Sequence, residues 1–273
     1  AFYSCKSLAT ANMPNVKTIG RSAFSGCTAL TKADMDSVTD IEEQAFYSCK
    51  SLATANMPNV KTIGNSAFSG CTSLTKADMD SVTDIEEWAF NGCTSLATAN
   101  MPNVVTIEEK AFWGCKSLAS DLTLNKVRSI GQGAFGVESS TNNIEYIRIP
   151  QTEVPTLASS DAIPEGQCTI IVPASALEAY RSAENWKEHW RNIIPDDAQT
   201  EMTVEVKAED CGSGLQTAVG EGALPYITNL TLKGSINSYD FMLFRNKMPN
   251  LHRIDLTETT IEANPYEFYT GSY

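Results

Sequence analysis

The chain has 273 residues, of which 42% are hydrophobic, and carries a formal net charge of −13 at pH 7. That apolar fraction suffices for a packed core and excludes a chain disordered throughout. So acidic a surface would repel a phosphate backbone, which excludes nucleic acid as a partner, and no apolar run approaches the roughly 18 residues of a transmembrane helix.

From the N-terminus, the pattern Ala-Phe-x-x-Cys at Ala1–Cys5 returns at Ala23–Cys27, Ala45–Cys49, Ala67–Cys71, Ala89–Cys93 and Ala111–Cys115, always 22 residues later. A period of about 20–29 residues with Leu at fixed offsets marks a leucine-rich-repeat solenoid. The expected fold class is therefore a solenoid: a right-handed coil of short parallel strands with irregular or short helical returns, occupying residues 1–150. In the first coil Leu8, Ala11 and Met13 carry the L-x-x-L-x-L rhythm. Period-two alternation points Ala11 and Met13 inward and Thr10 and Asn12 outward. Pro14 ends that strand because it cannot donate to a ladder. Val16, Ile19, Ala23 and Phe24 supply further inward contacts on the return, and Gly20 suits a turn with positive φ.

A longer period overlies this one. Residues 1–44 and 45–88 differ only as Arg21/Asn65, Ala29/Ser73 and Gln44/Trp88, so a two-coil unit has been duplicated. Odd coils present Thr10 and Asn12, Thr54 and Asn56, Thr98 and Asn100 outward. Even coils present Lys32 and Asp34, then Lys76 and Asp78. From Ala111 the pattern loosens: Leu118, Leu122 and Leu124 form a longer strand segment, and Ile144–Pro150 is a final strand with Tyr146 and Arg148 outward.

Residues 151–195 do not repeat. Cys168–Val172 is predicted as a strand and Ala174–His189 as a helix opened by Pro173, together a terminal cap that keeps the last coil's core from water. Residues 196–273 are expected to be a linker and the start of a second leucine-rich module. There Thr203–Val206, Ile227–Leu232 and Leu251–Leu256 are predicted strands, Gly212–Gly222 is Gly-rich, and Tyr239–Lys247 is a predicted short helix. Because the chain opens inside a repeat and closes after a new strand has begun, we expect a slice of a longer protein.

Six of the eight cysteines share one repeat position and would stack as an inward column about 4.8 Å apart, a distance that does not forbid bridging. Small buried hydrophobes account for them better than disulfides or zinc, since no Cys-x₂-Cys pair exists. Cys168 and Cys211 lie outside the repeats, where pairing stays open.

The turn rhythm Ile-Gly-x-x-Ala-Phe-x-x-Cys-x-x-Leu resembles the BspA-like, Treponema-type leucine-rich repeats of bacterial surface proteins. The segment Ile171–Pro195, with Tyr180 and Trp186, looks like the terminal unit that follows such repeats, and Leu230–Gly234 with Ile254–Leu256 is similar to an accompanying module. The resemblance implies an exported protein at the bacterial cell surface that adheres to host matrix or other cells, with its signal and anchor outside this chain. The 22-residue period is one shorter than usual, and Ala11 and Ala33 stand where Ile is common.

No enzymatic chemistry is expected. Gly131–Gly136 fits G-x-G-x-x-G but falls on the repeat's own turn, without the strand-then-helix context of a dinucleotide site. His189 and His252 lack nucleophile or metal-ligand partners at useful spacing. Asp34, Asp36, Asp40, Glu42 and Glu43 form an acidic edge that recurs 44 residues on, but Val38 stands where a calcium loop needs oxygen. Neither cofactor nor metal is called for. The expected site is the concave strand face formed by the twelve outward residues from Thr10 to Arg148 named above, binding an extracellular protein. The alternatives are a spacer, or a glycan-capture module using Trp88, Trp113 and Tyr146.

Overall fold

The computed structural model describes residues 1–119, 121–137, 144–164, 168–198, 201–207, 214–219 and 223–262, and it divides into two compact units, Ala1–Ile193 and Ile194–Tyr273. The first coil contributes β1 (Thr18–Ile19), the second β2 (Lys32–Asp34) and β3 (Asp40–Ile41), and the third β4 (Thr54–Asn56) and β5 (Thr62–Ile63). The fourth gives β6 (Lys76–Asp78) and β7 (Asp84–Ile85), the fifth β8 (Thr98–Asn100) and β9 (Thr106–Ile107), and the sixth β10 (Asp121–Thr123) and β11 (Ser129–Ile130). β12 (Tyr146–Arg148), β13 (Thr156–Leu157), β14 (Thr169–Val172) and β15 (Ile193–Pro195) follow.

These strands form three parallel sheets, ordered β2-β4-β6-β8, β1-β3-β5-β7-β9-β11-β13 and β10-β12-β14-β15. The seven-stranded sheet was not anticipated. Its residues were read as return contacts because only Ile19 and its counterparts face inward. Yet the Lys17 carbonyl accepts the Thr39 N–H at 2.8 Å and the Ile19 carbonyl accepts the Glu42 N–H at 2.9 Å, so the return is itself a two-residue ladder. Conversely, Thr10–Asn12 forms no strand. Its segment is linked to the next coil by the Thr31 N–H bonded to the Ala9 carbonyl at 3.1 Å, without the regular ladder that follows.

The core consists of columns running along the solenoid. Phe2, Phe24, Phe46, Phe68, Phe90, Phe112 and Phe135 stack with ring centroids 5.1–5.5 Å apart. Beside them the thiols of Cys27, Cys49, Cys71, Cys93 and Cys115 each donate to a Phe carbonyl 25 residues earlier, as in Cys49 to Phe24 and Cys71 to Phe46, both 3.1 Å. Five of the six repeat cysteines are buried, all six are free thiols, and Cys5 alone of them is exposed. Cys168 is also a free, buried thiol, while Cys211 lies outside the described residues.

Gly20 does not take positive φ. That conformation falls instead on Gly26, Gly70, Gly92 and Gly114 with Ser4 and Ser48, and on Ser22, Gln44, Ser66, Trp88 and Lys110. The glycine after the inward Ile answers a different need, close approach of successive coils. A Cβ at Gly64 would lie 2.7 Å from the Ile41 carbonyl oxygen and the Glu42 carbonyl carbon.

The predicted helix Ala174–His189 is three pieces: a 3-10 turn at Ala174–Ala176, α1 (Leu177–Ser182) and a 3-10 turn at Trp186–His189. The break at Asn185, with φ 63°, lets Trp186 turn fully into the core. Its indole N–H donates to the Pro155 carbonyl at 2.6 Å, the Tyr180 hydroxyl donates to the Gln151 carbonyl at 3.0 Å, and the two rings meet edge to face at 5.2 Å. Continuous helix would forgo these bonds, and tertiary burial overrides the helical composition.

The second unit has β16 (Glu201–Val206), α2 (Gly214–Val219), β17 (Asn229–Ile236), α3 (Ser238–Lys247) and β18 (Arg253–Ile261), with a parallel sheet ordered β16-β17-β18. Every predicted strand here is present and longer than expected. Asn237 caps α3 in a capping box: its side chain accepts the Tyr239 N–H and Asp240 accepts the Asn237 N–H, both at 2.9 Å. Inside this unit Leu215, Leu224, Ile227, Leu230, Leu232 and Ile236 pack into their own core.

Candidate functional site

In the four-stranded sheet the register aligns Lys32, Thr54, Lys76 and Thr98 in one outward column and Asp34, Asn56, Asp78 and Asn100 in the other. Between them Ala33, Ala55 and Ala77 point inward and are at most 1% exposed. Small inward residues draw the strands flat against the core and leave the outward residues as a regular lattice. Thr54 and Asp78 are half-buried, and the other six are exposed.

The charged rungs neutralise themselves. Lys32 lies 3.3 Å from Asp34 and Lys76 lies 2.7 Å from Asp78, each pair on a single strand. The face expected to alternate neutral and charged rungs is therefore a lattice of neutral rungs and internal ion pairs, with little net field despite the acidic chain.

The remaining candidates do not join this face. Exposed Thr10 and Asn12 precede its first strand. Tyr146 and Arg148 belong to β12 in the sheet ordered β10-β12-β14-β15, where Arg148 Nε bonds Asp121 at 3.0 Å and the guanidinium lies 5.9 Å from the Tyr146 ring. The continuous face predicted from Thr10 to Arg148 is thus interrupted between β8 and β10.

The interruption traces to one added residue. Leu96 and the inward Ala99 are three apart, whereas Leu118 and Leu122 are four apart. The Ala119 N–H still reaches the Ala97 carbonyl at 3.0 Å, and then the ladder lapses. Met35, Met57 and Met79 each donate their N–H to the following coil at 3.0 Å. Among the described residues the Met101 N–H has no such partner. Pairing resumes where the Leu124 N–H donates to the Arg148 carbonyl at 2.9 Å. The opposite side stays closed: β9 pairs with β11, and Phe112 stacks on Phe135 at 5.5 Å. The coils therefore part on one side only, around a cavity of about 340 Å³ whose walls include Ala99, Met101, Phe112, Leu122 and Phe135. Ala99, Met101 and Leu122 are half-buried there, although the corresponding Ala and Met of coils two to four are buried. Sequence reasoning missed this cleft; the lengthened Leu118–Leu122 interval was its signal.

The glutamates of the acidic edge are spent on the solenoid itself. Glu42 and Glu86 each accept a backbone N–H of the preceding coil at 2.8 Å, from Arg21 and Asn65 respectively, while Glu43 pairs with the Arg21 guanidinium. Of the turn aromatics, Tyr3 and Tyr47 are exposed, and Trp88 and Trp113 are half-buried. Lys110 Nζ lies 4.6 Å from the Trp88 ring centroid, and the Trp113 ring fills the space that Gly133 and Gly136 leave open. The glycines of that motif thus make room for an indole and for the Glu108–Glu109 backbone, which Gly131 touches. His189 is buried with Nε2 2.8 Å from the Ser160 carbonyl, and His252 is exposed. Burial pushes the Cys49 and Cys115 thiols up to about 12, and raises Cys71 and Cys93 as well, so the column holds protonated thiols at neutral pH.

Residues 1–81 and 39–160 match, in six copies, the family described as a BspA type leucine rich repeat region. No curated protein matches the chain. Among solved structures the chain is similar to a Leucine Rich Repeat protein of T. pallidum, at 35% identity over 50% of this chain and 65% of that one, with a TM-score of 0.45. This chain thus spans less than two thirds of the T. pallidum protein's length. A leucine rich cell surface protein from Faecalibacterium prausnitzii aligns at 21% identity over 93% of this chain and 74% of that one, with a TM-score of 0.41. A leucine-rich repeat protein from Bacteroides ovatus aligns at 17% identity over 97% and 80%, with a TM-score of 0.46.

Proposed function

The chain belongs to the BspA-type leucine-rich repeat family, and from that premise we propose that it is a non-enzymatic ligand-binding scaffold, displayed at the bacterial cell surface for adhesion to a protein of a host or a neighbouring cell. The observation that carries this reading is the outward lattice of β2, β4, β6 and β8, whose eight polar side chains are held at fixed register by a backbone ladder. Rungs about 4.8 Å apart present the same groups again two coils on, which suits a partner that is itself extended or repetitive. Individual polar contacts are weak, so affinity accumulates along the lattice, and the paired lysines and aspartates recognise by hydrogen bonding more than by net charge. Surface display is in keeping with the family and with the Faecalibacterium prausnitzii relative being a cell surface protein. A glycan-capture role gains no support from Trp88 and Trp113, which are engaged with Lys110 and the turn glycines.

The test is binding of the purified chain to a panel of host matrix proteins and glycans, beside a variant in which Thr54, Asn56, Lys76, Asp78, Thr98 and Asn100 are all replaced by Ala. Saturable binding lost in the folded variant is the expected result. Equal binding by both proteins would move the site off this face, and binding by neither would favour a spacer.

A further inference from the structure

We propose that the cavity walled by residues 151–156 is a binding site for an acidic sugar, one pyranose ring carrying a carboxylate as in a hexuronate. The site originates in a change of chain length. The step from the residue that closes an outer strand to the start of the return strand is five residues, as from Met101 to Thr106 and from Leu124 to Ser129. From Ile149 to Thr156 it is seven. Thr156 and Leu157 still pair in register with Ser129 and Ile130, so the two extra residues bulge from the surface. A cavity of about 490 Å³ opens between this bulge and the Lys126–Arg128 turn of the preceding coil, within the range of about 300–1,000 Å³ usual for small-molecule sites. The cap holds the bulge from behind: the Tyr180 hydroxyl donates to the Gln151 carbonyl at 3.0 Å and the Trp186 indole to the Pro155 carbonyl at 2.6 Å. The walls are therefore set before any ligand arrives.

Three features of the lining specify its occupant. Lys126 and Arg128 flank the buried Val127 and are both exposed, one on each side of it. Lys126 Nζ bonds the neutral Asn103 Oδ1 at 2.6 Å, and neither cation forms an ion pair among the described residues. Two uncompensated cations side by side call for an anionic group, and a planar carboxylate suits the guanidinium fork. Next to them, the Gln151 amide nitrogen donates to the Val127 carbonyl, which fixes its Oε1 as the free end. That oxygen is buried and bonded to nothing among the described residues, so it calls for a hydroxyl or N–H donor. Finally, half-buried Val105 and Val154 with buried Pro155 offer an apolar patch of the kind that the C–H face of a sugar ring covers. Among the described residues Glu153 is the one carboxylate of the lining, exposed and available to accept a second ring hydroxyl. The cavity thus keeps one positive charge in excess. The chain's net charge of −13 opposes an anion, but charges more than about 8 Å away are largely screened at physiological salt. A neutral sugar would leave both cations unanswered, and a simple carboxylate would leave Gln151 and Glu153 so.

This site shares no residue with the outward lattice and needs none of Trp88, Trp113 or Tyr146, so it stands or falls apart from the adhesion reading. The test is a saturation-transfer NMR titration of the intact chain with sodium D-glucuronate at 150 mM salt, beside D-glucose and sodium acetate. Arg128→Gln removes one cation at an exposed position. Lys61→Gln makes the same charge change at the corresponding return position three coils earlier, remote from the cavity. We expect saturable glucuronate binding, with glucose and acetate each weaker by about tenfold or more, the scale of one lost charge-assisted hydrogen bond. Arg128→Gln should weaken glucuronate by a similar factor and Lys61→Gln should leave it unchanged. No saturable glucuronate binding would overturn the proposal, as would glucose bound equally well. Acetate bound as well as glucuronate would reduce the site to a general anion site, and equal losses in the two variants would reduce it to diffuse charge attraction; either would overturn it too.

Discussion

Gly64→Ala should destabilise the solenoid, while the same change at the equivalent Gly20 should not. At Gly64 the added Cβ falls 2.7 Å from the Ile41 oxygen and the Glu42 carbonyl carbon and 2.8 Å from the Glu43 nitrogen, all backbone atoms. Relief to an ordinary contact near 3.4 Å requires the third coil to withdraw by about 0.7 Å. That shift would stretch the 2.8 Å bond from the Gly64 N–H to the Ile41 carbonyl past hydrogen-bonding range. Losing that bond costs about 1 kcal/mol and the overpacking about 1–3 kcal/mol. Against this, the stiffer unfolded chain returns about 0.4–1 kcal/mol. The expected net is a destabilisation of about 1–3.5 kcal/mol. At Gly20 the nearest atom to the new Cβ is the Glu42 carboxylate oxygen, 3.7 Å away, so the unfolded-state gain alone remains and the variant should match or slightly exceed wild type. Urea titrations followed by far-UV circular dichroism would compare the two. Equal midpoints, or a loss at Gly20 as large as at Gly64, would refute the close-approach account.

Phe68→Ala, which empties the middle of the ring column between Phe46 and Phe90, should cost about 3–5 kcal/mol, and Phe2→Ala, at the 41% exposed end, less than half of that; similar urea midpoints for the two variants would contradict a continuous column. Trp186→Phe should cost about 1–3 kcal/mol by leaving the Pro155 carbonyl without its donor, measured as a lowered thermal midpoint; an unchanged midpoint would contradict it. For Cys49 and Cys115, the ordinary value of 9.0 rises to about 12 on folding, so both states are protonated below 9 and the effect is absent there. As pH rises from 9 toward 12 the unfolded chain ionises while the folded one holds its protons, and stability falls by about 1.4 kcal/mol per thiol per pH unit. A Cys49→Ala, Cys115→Ala variant should show a shallower alkaline decline in its urea midpoint than wild type; parallel declines would contradict the linkage.

The inward column positions were legible because each recurs at one offset: Leu30, Ala33, Met35, Cys27 and Phe24 are all buried where the repeat places them. The seven-stranded sheet was hidden because a two-residue strand such as Thr18–Ile19 shows no alternation longer than a single inward Ile, and its existence lies in hydrogen bonds that leave no trace in composition. The cap's secondary structure was misjudged for a related reason. Ala174–His189 has helical composition, but Asn185 takes a left-handed conformation so that Trp186 can reach Pro155, a tertiary demand that propensity does not contain. In the candidate site the outward columns followed from alternation. Their self-pairing as Lys32–Asp34 and Lys76–Asp78 depended on side-chain reach along one strand, and the break after β8 depended on a single added residue that the leucine spacing recorded but did not announce.

The near-identity of residues 1–44 and 45–88 has a consequence for how such a molecule changes over generations. Each pair of coils meets the next through the same ring stack, thiol bond and backbone ladder, so recombination that gains or loses one 44-residue block inserts no foreign junction and preserves the alternation of Gly64-like and Glu42-like turns. A bacterium can thereby lengthen or shorten the protein in a single genetic event without solving a new packing problem. Reach becomes an inherited quantity that varies in fixed steps, uncoupled from the chemistry of any one rung.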